Sequence, residues 1–211
     1  MTYLNMAFVL FSLLFIATME LVTGYLGVLL KVIPVLLLML LVFQSLEGRW
    51  RLGMLIALGF SAGGDTLLGL HGIHGGLFVA GLGSFLVAQV IYAGLFWMER
   101  SSDTGRVKYA LAYFPVAALL AMVIVPASGE LMAPVFLYLL AISVMVMGAA
   151  VCNRPLSLLF TGACLFALSD SLIAVNKFLF TLPMSGVWIM VTYYAAQYLI
   201  VRGVISSATR Q

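Results

Sequence analysis

Eight apolar runs separated by short polar breaks leave this chain few ways to fold. The runs are Tyr3–Met19, Gly24–Phe43, Leu52–Leu70, Leu77–Met98, Tyr109–Val125, Leu131–Val151, Ser157–Asn176 and Ser185–Ile205. Each is close to the roughly 20 residues a helix needs to cross hydrocarbon. The breaks are SLEGRW, HGIHGG, ERSSDTGRVK, PASGE, CNRP and KFLFTLPM, too short to hold a soluble domain. Backbone groups inside a bilayer must be satisfied internally, so runs of this length are helices. Barrel strands would be shorter and would alternate in polarity. The expectation is an all-α integral membrane protein: one domain over residues 1–211, a bundle of eight transmembrane helices. Composition agrees, at 64% hydrophobic and 8% charged, against about 45–50% and about 25% in soluble domains. The N-terminus, MTYLNMAFVLF, lacks a basic leader and a small-residue cleavage site, so it reads as a retained first span.

The net charge of +3 comes from Lys and Arg in the breaks, which reports orientation and does not point to nucleic acid. Arg49, Arg51, Arg100, Arg106, Lys108, Arg154, Arg202 and Arg210 fall on one side, and only Lys31 and Lys177 fall toward the other. By the positive-inside rule both termini are cytoplasmic, and the cell (inner) membrane is the expected location.

Against this background two segments stand out. SAGGDTLLGL, residues 61–70, sets Asp65 inside an apolar run, and FALSDSLIAV, residues 166–175, does the same with Asp170. Each acid is 13 residues into its span from the cytoplasmic side, or about 20 Å at helical rise. A charge at mid-membrane costs about 2.5–3.5 kcal/mol on insertion scales, and such residues mark function unless they serve only as helix glue. The segments also match locally, GDTLLGL with SDSLIAV, and each is followed in the next span by Ala-Gln, at 88–89 and 196–197. A four-plus-four parallel repeat is the corresponding expectation. Small neighbours, Gly63, Gly64 and Gly69 around one acid and Ala167, Ser169 and Ser171 around the other, permit close helix approach.

Two carboxylates in a low-dielectric site do not ionise alike, so one protonated and one ionised Asp is expected, which is a general acid and a general base. The candidate catalytic pair is Asp65 and Asp170. Candidate supporting or substrate-binding residues are Lys31, Gln89, Tyr92, Ser169, Asn176, Tyr194 and Gln197. No metal or cofactor is expected. His71 and His74 have no acidic or thiol neighbours and read as loop residues, while Cys152 and Cys164 read as small packed hydrophobes.

KVIP (31–34), SAGGD (61–65), FLVAQVIY (85–92), GACLFALSD (162–170) and VTYYAAQYLI (191–200) occur in an order that resembles the YhhN/TMEM86 family of multi-pass membrane proteins. Characterised members of that family are lysoplasmalogenases. The resemblance implies hydrolysis of the vinyl ether bond of lysoplasmalogens to a fatty aldehyde and a glycerophospho-ethanolamine or -choline. It matches Asp65, Asp170 and Lys31 to the family's residues, and it departs from the family at Gln89, where a His is common. The substrate would be a lysophospholipid entering from the bilayer among the membrane lipids. The rival readings are a proton-coupled transporter or carrier of a lipid-like small molecule, a hydrolase of another lipid, and a non-catalytic bundle. Ester cleavage wants a nucleophile or metal that the chain does not offer. A transporter would need helix breaks near the acids, for which only Pro34 and Gly63-Gly64 qualify.

Overall fold

The computed structural model describes residues 2–208, and Arg210 of the basic set lies outside them. Among the described residues there are eight α-helices: α1 (Thr2–Thr18), α2 (Gly24–Ser45), α3 (Gly48–His74), α4 (Phe78–Met98), α5 (Val107–Ala127), α6 (Met132–Val151), α7 (Leu156–Phe178) and α8 (Ser185–Ala208). Seven of the helical segments are long and apolar enough to cross a membrane, and α1, at 17 residues, is shorter. The protein is a helical, multi-pass membrane protein. Its side chains reflect this: Leu10, Leu29, Leu111, Phe114, Leu119 and Met122 are all more than half exposed. Apolar surface on that scale is stable against lipid and a liability in water.

Both ends of α3 differ from expectation, and the helix starts at Gly48, inside the SLEGRW break, and not at Leu52. The HGIHGG break is not a loop from His71 onward, because α3 continues through both histidines to His74. Nothing before the Gly75-Gly76 pair breaks the helix. Gly75 then takes φ 72°, a left-handed geometry that glycine adopts without a Cβ penalty. His71 and His74 serve the end of the helix. The Leu77 amide donates to His71 Nδ1 at 3.2 Å, and Tyr25 Oη sits 2.8 Å from His74 Nε2.

The chain forms two compact units, one running to Tyr92 and the other from Ala93, with the boundary inside α4. In the first, α1 packs on α2 and α2 on α3. The two helices α2 and α3 come close at Gly69, where an added Cβ would lie 2.8 Å from Val28 Cγ2. Along α4, a Cβ on Gly64 would meet the Phe85 ring at 2.5 Å, and Ser84 Oγ donates to the Phe60 carbonyl at 2.6 Å.

In the second unit α5 packs on α6, α6 on α7 and α7 on α8. The α7–α8 contact is backbone on backbone: a Cβ on Gly162 would lie 2.9 Å from the Ile200 nitrogen and one on Gly203 3.2 Å from the Leu159 nitrogen. Polar residues clasp the loop after α4 to the loop after α6. Arg154, 9% exposed, pairs with Glu99 at 2.8 Å and donates to the Val204 carbonyl of α8 at 3.3 Å. Arg106 donates to the carbonyls of Cys152 and Arg154. The Asn153 amide donates to the Glu99 carbonyl at 2.6 Å. Burial pushes the Cys152 thiol up to about 12, with the Arg154 guanidinium opposing it.

Candidate functional site

Asp65 lies on α3 with 2% of its surface exposed. Its carboxylate meets the Lys31 ammonium of α2 at 3.2 Å. The local sequence sets this up. Val28 is three residues before Lys31 and Gly69 four residues after Asp65, so the close approach at Gly69 lies about one turn from both charges. Pro34 lies one turn beyond Lys31 inside α2. It has no N–H, so the Leu30 carbonyl loses its helical donor beside the lysine. A pair taken out of water must be well matched in geometry to offset its desolvation.

Gln89 and Tyr92 follow on the buried face of α4, both at 0% exposure. The Tyr92 hydroxyl is turned toward Ser61, one turn before Asp65 on α3. Within this unit the structure therefore joins Lys31 to Asp65 directly and puts Tyr92 beside the helix turn that precedes the acid.

Asp170 is held differently. It is half-buried on α7, and its Oδ2 accepts from the Tyr138 hydroxyl of α6 at 2.5 Å. Tyr138 is 7% exposed. The preceding Ser169 spends its hydroxyl on the Ile189 carbonyl of α8 at 3.0 Å, which fixes α7 against α8 next to the acid. Tyr194 and Gln197 are buried on α8. Tyr194 stacks at a tilt on Tyr193, with centroids 5.6 Å apart, and Gln197 Nε2 lies 3.4 Å from the Tyr193 hydroxyl. Asn176 has a turn-closing job: its Oδ1 accepts from the Leu182 amide at 2.9 Å as the chain leaves α7.

Tyr138 is the residue that sequence reasoning missed. The signal was present. Asp65 and Asp170 are 105 residues apart, and a similar step from Lys31 lands on FLYL, residues 136–139, whose single polar side chain is Tyr138.

Beside Tyr138, an apolar groove of about 180 Å³ runs between α5 and α6. Ala117, Ala118 and Ala121 form its α5 wall, Phe136 and Leu139 face them from α6, and Tyr113 and Ser143 supply its polar atoms. The Tyr113 hydroxyl is turned to Ser143, within electrostatic reach of Asp170.

Helices long enough to span a bilayer, with carboxylates inside them that each meet a side chain of the preceding helix, define a polytopic membrane protein with polar groups inside its spans. Comparison with known proteins gives the family. The YhhN family matches residues 26–204, and the chain belongs to it. A protein named lysoplasmalogenase from Mycobacterium tuberculosis is 34% identical over 161 residues, covering 74% of this chain and 61% of the relative. Lysoplasmalogenase TMEM86A of Homo sapiens is 33% identical over 166 residues, 72% of this chain and 65% of that protein. Lysoplasmalogenase TMEM86B of Rattus norvegicus is 30% identical over 187 residues, 87% of this chain and 75% of that protein. The matches thus span somewhat under two thirds of the first two relatives' length. No solved structure matches the chain.

Proposed function

We propose that this protein hydrolyses the vinyl ether bond of lysoplasmalogens, releasing a fatty aldehyde and a glycerophospho-ethanolamine or -choline, with Asp65 and Asp170 as the acid–base pair. Asp65 carries most of the weight: it is a 2%-exposed acid inside a span, paired at 3.2 Å with a lysine that is also inside a span. Chemistry of this kind suits a chain offering carboxyls and no obvious nucleophile. One acid protonates the β-carbon of the vinyl ether, the π electrons form the new C–H bond, and the ether oxygen shares the positive charge. Water adds to the α-carbon and gives its proton to the other carboxylate. The hemiacetal then passes its hydroxyl proton to the leaving oxygen as the C–O bond breaks. Two carboxyls with opposite roles act in the same way in glycoside hydrolysis.

The partners suggest the assignment. Lys31 gives Asp65 a counter-ion as a carboxylate, which suits the base. Tyr138 offers Asp170 a neutral donor, which suits the acid. Gln89, Tyr92, Tyr194 and Gln197 are proposed as substrate-binding or supporting residues, with Ser169 and Asn176 holding α7 in place. The alkenyl chain is proposed to lie in the α5–α6 groove after lateral access from the bilayer. The proposal extends to topology: α1 spans, both termini face the cytoplasm, and the chain is a single transmembrane domain built as a four-plus-four parallel repeat in the inner membrane.

Purified protein supplied with a lysoplasmalogen should release aldehyde, and Asp65→Asn or Asp170→Asn should abolish release in protein that remains folded. Full activity in both variants would falsify the assignment. Proton-coupled uptake without any product would favour the transporter instead.

A further inference from the structure

We propose that Tyr138 is a positioning residue for Asp170, a role that rests on Asp170 being the proton donor of the reaction above. Four observations carry it. The phenol and the carboxyl meet at 2.5 Å, at the short end for O–H···O contacts. Tyr138 is 7% exposed, so little competes with the carboxyl for its phenol. The two residues come from different helices, α6 and α7, so their contact fixes the carboxyl relative to a second rigid element. Finally, α7 is itself pinned at the adjacent residue by Ser169 Oγ on the Ile189 carbonyl of α8.

A carboxyl has two oxygens, and a general acid must present its proton on the one facing the substrate. With Oδ2 accepting from the phenol, the transferable proton resides on Oδ1. The carboxyl plane is then set by α6 and is not left to rotate about its Cβ–Cγ bond. When the proton leaves for the β-carbon, negative charge grows on the carboxylate, and the phenol O–H is already aimed at it. Preorganised donors of this kind act most strongly where water is excluded. Tyr138 needs no contact with substrate for either effect.

The test compares wild type, Tyr138→Phe, Asp170→Asn and the double variant for aldehyde release. Tyr138→Phe should lower kcat roughly tenfold to 100-fold and leave KM unchanged. The double variant should be no slower than Asp170→Asn alone. A Tyr138→Phe enzyme with full kcat overturns the role, as does a double variant whose loss is the product of the two single losses. Infrared difference spectra give a readout that does not depend on turnover. The carboxyl band that Asp170→Asn removes should shift in Tyr138→Phe, and in the opposite sense when fluorotyrosine, a stronger donor of nearly the same size, replaces Tyr138. Unmoved bands in both overturn the contact itself. A wild-type protein inactive on lysoplasmalogen, with the band shifts intact, overturns the vinyl ether reading and the positioning role in that reaction while leaving the contact standing.

Discussion

Asp65 and Asp170 are built on one plan with different materials. Each sits on a helix rich in small residues, and each takes its partner from the helix just before it: Lys31 of α2 in one case, Tyr138 of α6 in the other. The partners are 107 residues apart and the acids 105. An ammonium supplies a full opposite charge, whereas a phenol supplies only a hydrogen bond. What differs is therefore the kind of partner each acid meets. The helix contacts behind the acids differ too. Gly64 of α3 faces a side chain, Phe85, whereas Gly162 of α7 faces the backbone of α8.

Neutralising either acid is the most direct way to break the comparison. Asp65→Asn and Asp170→Asn should each lower aldehyde release by about 10²- to 10⁴-fold, the usual contribution of general acid–base catalysis, measured per mole of folded protein. If only one acid matters, the symmetry is confined to structure.

Removing the partners should separate charge from hydrogen bond. Lys31→Met removes the ammonium beside the buried Asp65 carboxylate and should cost about 3–5 kcal/mol in detergent unfolding. The double variant Lys31→Met/Asp65→Asn should recover most of that. Tyr138→Phe, losing a single hydrogen bond, should cost about 0.6–1.5 kcal/mol. Equal losses for the two partner variants would show that Lys31 acts only as a donor.

The glycine contacts sharpen the contrast in rigidity. Gly162→Ala pushes a methyl against the Ile200 nitrogen, which cannot swing away, and should cost about 1–3 kcal/mol. Gly64→Ala meets the Phe85 ring, a side chain that can turn, and should cost less in the same unfolding assay.

The smallest effect concerns the thiols. With its thiol raised to about 12 and no exposed surface, Cys152 remains protonated at pH 8. It should resist maleimide in folded protein and react only on unfolding.

Sequence alone made the helices legible, because apolar runs near 20 residues with short breaks have one physical solution in a bilayer. It also made the acids legible, because a charge inside such a run is costly enough to need a reason. Pairing was only partly legible. Lys31 announced itself as a charge, but its spacing alone did not say which of the two acids it meets. Tyr138 carries no charge and is ordinary in an apolar span, so only the register between the two halves pointed to it. The ends of α3 were misjudged because His71 and His74 look like loop residues. Helix continuation depends on where the first left-handed glycine falls, and that is Gly75. Asn176 showed a related blind spot. A polar residue at a span's end can serve its own turn, as its bond to the Leu182 amide does.

The clasp around Arg154 bears on how the chain is made. Glu99 is synthesised 55 residues before the arginine it pairs with, and Val204, which accepts from the same arginine, comes 50 residues later still. The loop after α4 therefore waits, with its acid unmatched, until α6 has been threaded into the bilayer. It reaches its final form only once α8 has followed. A chain cut short before residue 154 lacks the arginine that joins the end of α4 to α8.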